Sequence, residues 1–342
     1  MRNLDKRKIQ KVGVSTLSVT LPKEWTSLAD VKQGDTVYVD QSKNNSLIIL
    51  SDKLLAEEEN LKNFYINCHL ISETKLLARL IVGSYMQGAE FIRVTSLNRI
   101  EGNQIDKIRD ISKKLVGLSI IEESSKEIVL ECLIDPTKFS INSLLRRLST
   151  ITSTMLDEVL VALIELNLDL ATDVVNREDA ANGVYWLITR LSNLSQNSQI
   201  FADKIGLEMK MNPSFRLISM NLERVADCSK NVAKIVFDLR SMGDHLDNNE
   251  LKELSSLNQL TKEIFQKAIN SFFLRDLIVA NEVINLRDTL IAETQLKRNG
   301  ATLPYFRAVT IMLNMIAEYS SSIAGETINI NVSQSNYLPP QT

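Results

Sequence analysis

The sequence predicts a multidomain protein with three parts: a small N-terminal β domain, a small α/β connector domain and a C-terminal all-α region of two tandem three-helix bundles. Alternation of apolar and polar residues with a period of two predicts short strands near the N-terminus. Strand and helix patterns then alternate, and beyond residue 139 only long stretches with helical spacing remain. The predicted domains therefore span residues 1–52, 56–136 and 139–333.

The N-terminal part carries three strand patterns. Residues 15–21 alternate, and Pro22 ends this strand and opens a short helical turn. Further strands are predicted at residues 36–39 and 47–50, the first of them after a Gly34-Asp35 turn. A domain of about fifty residues rarely buries enough apolar surface to be stable alone, and its open strand edges need covering. We therefore expect this domain to dimerise.

The same segment resembles a known DNA-binding family. Its sequence RKIQKVGVSTLSVTLPKEW, followed by VKQGDTVYVD and SLIIL, is similar to the AbrB/SpoVT (MazE-like) swapped-hairpin domain. The hallmarks are the strand that runs into Leu21-Pro22-Lys23 and the later Gly34-Asp35 turn. The resemblance implies an interlaced homodimer that binds DNA through basic residues, because cationic side chains supply salt-sensitive affinity for phosphates. The implied DNA contacts are Arg7, Lys8, Lys11 and Lys23. The alternative is a dimerisation module with a solvated basic edge.

The connector shows the pattern order β-α-β-α-β-β. We predict strands at residues 64–70, 91–94, 118–121 and 128–133, and helices at residues 73–87 and 105–116. This order indicates a small sheet with helices on one face, and we expect a scaffold or protein-contact role. The stretch KKLVGLSIIEESSKEIVLECLIDP is similar to a segment of archaeal PhoU-like proteins.

Six long helices are predicted in the C-terminal region, at residues 140–166, 168–199, 213–242, 249–274, 276–298 and 303–331. Their short connections indicate antiparallel bundles. Pro213-Ser214-Phe215-Arg216 recurs 91 residues later as Pro304-Tyr305-Phe306-Arg307, which makes the third and sixth helices copies of each other.

A row of oxygen-bearing side chains follows one of these copies. Glu223, Asp227 and Asn231 are spaced four residues apart, so they lie on one side of the helix beside its apolar stripe. Carboxylates from two facing helices would form an oxygen-rich site for a hard or borderline metal ion. The alternative is a solvated helix face on which Asp227 pairs with Lys230.

Tandem three-helix bundles with Glu-x-x-x-Asp-x-x-x-Asn on the third helix resemble PhoU, the phosphate-uptake regulator. The stretch REDAANGVYWLITRLSN at residues 177–193 is similar to the second-helix motif of that family. The resemblance implies an all-α regulator that restrains a phosphate ABC transporter or signals phosphate status. Some members hold iron or zinc in their carboxylate motifs. The implied ligands for iron, zinc or another divalent metal are Glu178, Asp179, Glu223, Asp227, Asn231, Asp288 and Glu318.

This chain departs from the motifs at several positions. Ala180 and Asn182 stand where the second-helix motif has acidic residues, and Asn314 and Ser322 stand in the sixth helix where Glu and Asn are expected. A full metal cluster is therefore in question, above all in the second bundle.

Composition excludes several classes of enzyme. Two His, three Cys and 11 Gly leave no His-rich zinc site, no CxxC pair, no GxGxxG and no P-loop. The N-terminus has no apolar signal segment, and no apolar run is long enough to insert into a membrane. We expect a cytoplasmic protein that is not an enzyme.

Net charge differs between the N-terminal segment and the rest of the chain. Residues 1–50 hold 8 basic and 5 acidic residues, a net charge of +3, whereas the rest hold 31 and 37, a net charge of −6. Such asymmetry favours different partners for the two segments. The sequence as a whole predicts a phosphate-responsive, DNA-binding transcriptional regulator of phosphate uptake. The alternative is a protein-interaction regulator of a phosphate ABC transporter, contacting its ATPase subunit, in which the N-terminal domain only dimerises.

Overall fold

The computed structural model of the chain describes residues 5–41, 47–52, 63–196, 198–296 and 304–334. The chain divides into two units, Met1–Phe64 and Tyr65–Thr342. The predicted start of the connector at residue 56 lies outside the described residues.

Two antiparallel hairpins and one short helix make up the first unit. Strand β1 pairs with β2, and β3 pairs with β4, as two separate two-stranded sheets. The bounds are β1 Gln10–Val12, β2 Thr16–Ser18, α1 Lys23–Leu28, β3 Val37–Gln41 and β4 Leu47–Ser51. The strand predicted at residues 15–21 is shorter than expected. Strand β1 was not predicted, because its three residues are too few to show a period.

The first unit leaves most of its apolar side chains exposed. Among its described residues only Ser51 is buried. The exposed large apolar residues are Ile9, Val12, Val14, Leu17, Val19, Leu28, Tyr38, Val39, Leu47 and Ile48. The described residues of a single copy therefore form almost no core.

The second unit begins with a four-stranded sheet of order β5-β6-β8-β7. Strand β8 runs antiparallel to both of its neighbours, and the β7–β8 pairing is interrupted by an irregularity between Ile120 and Glu122. The elements follow the predicted order, with β5 Asn63–Asn67, α2 Thr74–Met86, β6 Phe91–Thr95, α3 Gly102–Lys114, β7 Leu118–Glu123 and β8 Glu127–Cys132.

All six predicted long helices are present in the bundle region. Their bounds, with one additional short helix, are α4 Ile141–Glu165, α5 Leu168–Ser195, α6 Gln199–Lys204, α7 Asn212–Met242, α8 Asn248–Leu274, α9 Leu277–Leu296 and α10 Pro304–Gln334. Helices α4, α5 and α7 pack together as the first repeat, and α8, α9 and α10 pack together as the second repeat. The third helices α7 and α10 also pack on each other, so that one apolar core runs through both repeats. None of the described helices is long and apolar enough to span a membrane.

The repeat extends to the first two helices of each bundle. Helix α4 ends at Glu165 and α8 ends 109 residues later, and the starts of α5 and α9 are 109 residues apart as well. At both junctions a residue other than glycine adopts a left-handed backbone, Leu166 with φ 49° and Arg275 with φ 58°. The third helices are related by a spacing of 91 residues instead of 109. The first repeat therefore has 18 more residues between the start of its second helix and its third helix, where α5 is longer than α9 and α6 is added.

The predicted connector, which contains the four-stranded sheet, is fixed to helix α5. Gly183 of α5 lies so close to the end of α3 that a Cβ there would be 2.9 Å from the carbonyl oxygen of Lys114. Further along α5, Nη1 of the buried Arg190 donates hydrogen bonds to the carbonyl oxygens of Tyr85 and Ala89, each at 2.8 Å. The predicted connector is therefore anchored on the second helix of the first repeat.

Candidate functional site

The predicted DNA contacts lie on the surface of the first unit. Arg7, Lys8, Lys11 and Lys23 are all exposed. Arg7 is engaged within the unit, because its Nε donates to Asp5 Oδ2 at 3.0 Å and its Nη1 donates to Thr20 Oγ1 at 3.4 Å. Among the described residues no acidic partner lies within ion-pair distance of Lys8, Lys11 or Lys23. Three of the four predicted contacts are thus free to meet an anionic surface.

The carboxylate row of α7 meets one residue of α5. Glu178 is buried on α5, and Lys230 of α7 donates from Nζ to its Oε1 at 2.6 Å. Asn182 donates from Nδ2 to the same oxygen at 2.7 Å, and Lys230 Nζ also lies 3.7 Å from Asp227 Oδ1. The ammonium group of Lys230 therefore lies between carboxylates of two helices. The Asp227–Lys230 pair considered from the sequence is present, but Lys230 lies closer to Glu178 than to Asp227.

Burial and crowding disturb the titration of this cluster. Burial, together with the charges of Asp227 and Glu178, raises the pKa of Glu223 to about 7 against the opposing effect of Arg224 and Lys230. Burial also raises the pKa of Asp227, which Lys230 lowers and the neighbouring Glu178 raises. One ammonium group thus serves three carboxyl groups, and the cluster favours a proton close to neutral pH.

The remaining predicted ligands of the first repeat lie elsewhere. Asp179 accepts a hydrogen bond at 3.0 Å from Lys114 Nζ of α3, on the side of α5 that faces the connector. Burial opposes the charge of Lys114, but this bond and the charge of Asp179 raise its pKa. Asn231 is exposed on α7. The structure therefore groups Glu178, Glu223 and Asp227 and separates Asp179 from them.

The second repeat contains a related ion pair. Arg287 of α9 donates from Nη1 to Glu318 Oε2 of α10 at 2.7 Å, and its Nε lies 2.9 Å from Asp288 Oδ1. Asn314, which replaces a carboxylate of the motif, donates from Nδ2 to Thr294 Oγ1 at 3.1 Å. Sequence reasoning missed Arg287, although a signal exists. Asn176 and Asp179 recur 109 residues later as Asn285 and Asp288, and this spacing aligns Arg287 with Glu178.

Metal binding at these residues stays a prediction. Within the described ranges no group of three or more His, Cys, Asp or Glu side chains is arranged to hold a metal ion. As arranged, the set does not fit iron or zinc, because a protein cation contacts the central carboxylate of each repeat: Lys230 contacts Glu178, and Arg287 contacts Glu318. A divalent ion and a protein cation do not share one carboxylate site without strong repulsion.

Two models of known families match separate segments of the chain. Residues 145–236 match the family model described as the PhoU domain. Residues 9–53 match the model described as antidote-toxin recognition MazE, bacterial antitoxin. Both resemblances drawn from the sequence are thereby confirmed: the chain has a MazE/AbrB-like N-terminal domain followed by a PhoU-like helical region. The PhoU match covers most of the first repeat.

Two solved structures are similar to part of this chain. PhoU from Pseudomonas aeruginosa has 18% sequence identity and a TM-score of 0.47, with 56% of this chain and 96% of that chain covered. The phosphate transport system regulatory protein PhoU from Streptococcus pneumoniae has 16% identity and a TM-score of 0.44, with 58% and 96% covered. No curated protein matches the chain.

Proposed function

We propose that this protein is a phosphate-responsive regulator that binds DNA through its first unit and receives its signal through its helical unit. The observation that carries the proposal is the set of three exposed lysines on the MazE-type unit that have no acidic partner among the described residues, in the same chain as a PhoU domain. The protein acts as a cytoplasmic regulator and not as an enzyme.

Charge supports the DNA role. Lys8, Lys11 and Lys23 are exposed and carry no intramolecular counter-charge among the described residues, so they lose no internal ion pair on binding a phosphate. Each lysine that neutralises a phosphate releases a counterion, which makes the affinity fall steeply with salt. Arg7 first has to give up Asp5, so it contributes less than the lysines.

The exposed apolar side chains support a dimer. Leu17 of β2 and Leu47 of β4 are 66% and 65% exposed, although apolar strand residues normally face a core. A second copy that covers them would supply the missing core and would double the number of free lysines. Such a homodimer would read a DNA site with two half-sites.

Signalling between the units requires a coupling free energy. A ligand or partner of the helical unit would change the DNA affinity of the first unit, and DNA would change the affinity for that partner by the same factor. Because residues 145–236 match the PhoU domain, we propose that the helical unit responds to phosphate status.

The experiment is a gel shift with promoter DNA of phosphate-uptake genes over a series of salt concentrations. The test variant is Lys8→Ala/Lys11→Ala/Lys23→Ala, and Lys126→Ala in the β7–β8 turn is the control, since it removes an exposed lysine outside the first unit. We expect the triple variant to bind more weakly with a flatter salt slope, and the control to bind as the wild type does. Unchanged affinity and slope in the triple variant would exclude the DNA role.

A second candidate is a protein-interaction regulator of a phosphate ABC transporter, with a first unit that only dimerises. It is favoured by the exposed apolar face of that unit, which a dimer interface explains without DNA. Co-purification with the transporter ATPase subunit, together with no DNA retention at low salt, would support it. A dimer that binds DNA and ignores the ATPase subunit would exclude it.

A further inference from the structure

In each repeat an ion pair joins the second helix to the third, and the acid and the base are exchanged between the two helices. In the first repeat the acid lies on the second helix and the base on the third, as Glu178 and Lys230. In the second repeat the base lies on the second helix and the acid on the third, as Arg287 and Glu318. Arg287 corresponds to Glu178 at the 109-residue spacing, and Glu318 corresponds to Asp227 at the 91-residue spacing.

The two pairs differ in how far they are removed from water. The side chains of Lys230 and Glu178 are 23% and 10% exposed, whereas those of Arg287 and Glu318 are 23% and 47% exposed. In the first repeat the ammonium group at 2.6 Å therefore neutralises a carboxylate that could not be left unpaired without a large cost, and in the second repeat the guanidinium group at 2.7 Å pairs with a half-exposed carboxylate. Each pair therefore fixes the second helix of its repeat to the third.

The same cations occupy the place that a divalent ion would need. Zinc binds carboxylate oxygens at roughly 2.0–2.2 Å, so an ion on Glu178 Oε1 would meet the ammonium group that already lies 2.6 Å from that oxygen. Asn182 also donates to this oxygen, which leaves it little capacity for a metal. The same ammonium group lies 3.7 Å from Asp227 Oδ1, so two carboxyl groups from two helices would remain around its place if the lysine were absent.

We propose that the helical region is held together by built-in cations in place of metal ions, Lys230 in the first repeat and Arg287 in the second. Removal of Lys230 exposes Glu178 and Asp227 as a binding site for a divalent cation such as Mn²⁺ or Zn²⁺. Replacement of Arg287 by an acid creates the corresponding site with Glu318. The inference does not depend on the DNA role.

The test compares the full-length wild type with Lys230→Met and Arg287→Glu. The control is Lys262→Met, which also removes a lysine that joins two helices, but one that contacts the single carboxylate of Asp157 at 2.6 Å. The measurements are equilibrium dialysis against Mn²⁺ and Zn²⁺ and the thermal unfolding midpoint with metal and with chelator. Circular dichroism establishes the fold of each variant.

The wild type and Lys262→Met are expected to bind well under one ion per chain, with a midpoint that responds to neither metal nor chelator. Lys230→Met is expected to bind about one ion, with a midpoint raised by about 5 °C at saturating metal. If Lys230→Met is unfolded without metal, recovery of its helical spectrum on metal addition supports the proposal. Wild-type protein that retains about one metal per chain after purification without chelator overturns it. Failure of both Lys230→Met and Arg287→Glu to bind or respond to metal overturns it equally.

Discussion

The guanidinium group of Arg190 on α5 lies over the ring of Tyr85 on α2, with its Cζ 4.9 Å from the ring centroid. Tyr85 is fully buried, and its hydroxyl group donates to the carbonyl oxygen of Val116 at 2.9 Å. Burial raises the pKa of Tyr85, so it stays a neutral donor. One ring thus joins α2, the segment that leads to β7, and the helical bundle.

Helix α5 contacts both the third helix of its own repeat and the connector. Its Glu178 is paired with α7, and the next residue, Asp179, is paired with Lys114 of the connector. Three turns later Arg190 holds the end of α2. A change at the Glu178 cluster would therefore act on the helix that anchors the connector.

Arg190→Ala is expected to weaken this anchor. The substitution removes the guanidinium donor from the carbonyl oxygens of Tyr85 and Ala89 in a buried place, although the Tyr85 oxygen still accepts from the backbone N–H of Gly88, and we expect the free energy of unfolding to fall by about 3 kcal/mol. Urea unfolding followed by circular dichroism measures it. The control is Arg79→Ala, which removes an exposed arginine of α2 and should change stability by less than about 0.5 kcal/mol. Equal effects of the two substitutions would contradict a role for the buried hydrogen bonds.

Gly183→Ala is expected to separate α5 from the end of α3. The new Cβ would lie 2.9 Å from a backbone oxygen that cannot turn aside, so we expect a loss of about 1–3 kcal/mol in urea unfolding. Gly325→Ala on α10 is the matched control, because nothing lies within 4 Å of its Cβ position. Alanine has the better helix propensity, so this control should gain about 0.5–1 kcal/mol. An increase in the free energy of unfolding for both variants would show that the end of α3 moves away from the new Cβ without an energetic cost.

The long helices could be predicted from sequence because each has enough turns for its apolar period to stand out. Helix α6, with six residues, and β1, with three, have no such period, and neither was predicted. The repeat of the third helices was visible in Pro213 and Pro304, whereas the repeat of the first two has only the weak signal of Asn176 and Asp179 in the sequence and became clear from the helix ends.

The partners of charged residues on different helices could not be predicted. Glu178 and Arg190 lie on one helix, yet one faces α7 and the other faces carbonyl groups about a hundred residues away in the chain. No local pattern encodes such a contact, because it depends on the packing of α2 and α7 against α5. For the carboxylate row, the spacing on α7 predicted a shared face and the local Asp227–Lys230 pair, but not the contact of Lys230 with Glu178 on α5.

Cys228 is expected to resist alkylation in the folded protein. Burial, together with the charges of Asp227 and Glu223, raises its pKa to about 12, so almost none of it is thiolate at pH 8. We expect iodoacetamide to modify it at least about 100-fold more slowly than it does in urea, measured by peptide mass spectrometry. Cysteines that react equally fast in folded and unfolded protein would contradict this burial.

Glu223 is expected to make the protein less stable as the pH rises through neutrality. Its carboxyl group has a pKa of about 7 in the fold against 4.5 as the ordinary value, so between these values the unfolded chain is ionised while the folded chain keeps its proton. The free energy of unfolding therefore falls as the pH rises from about 4.5 to 7, by about 1–2 kcal/mol for a partly solvated group.

Glu223→Gln tests this dependence, because glutamine has similar shape and no charge. The cluster around it contains Asp227, Glu178, Arg224 and Lys230, which are unchanged in the variant. We expect the difference in stability between variant and wild type to shift in favour of the variant by about 1 kcal/mol between pH 5 and pH 8. Glu165→Gln, an exposed position at the end of α4, should follow the wild-type curve at every pH. A Glu223→Gln curve parallel to the wild type from pH 5 to pH 8 would show that Glu223 is already ionised in the fold, and that Lys230 neutralises the whole cluster rather than Glu178 alone.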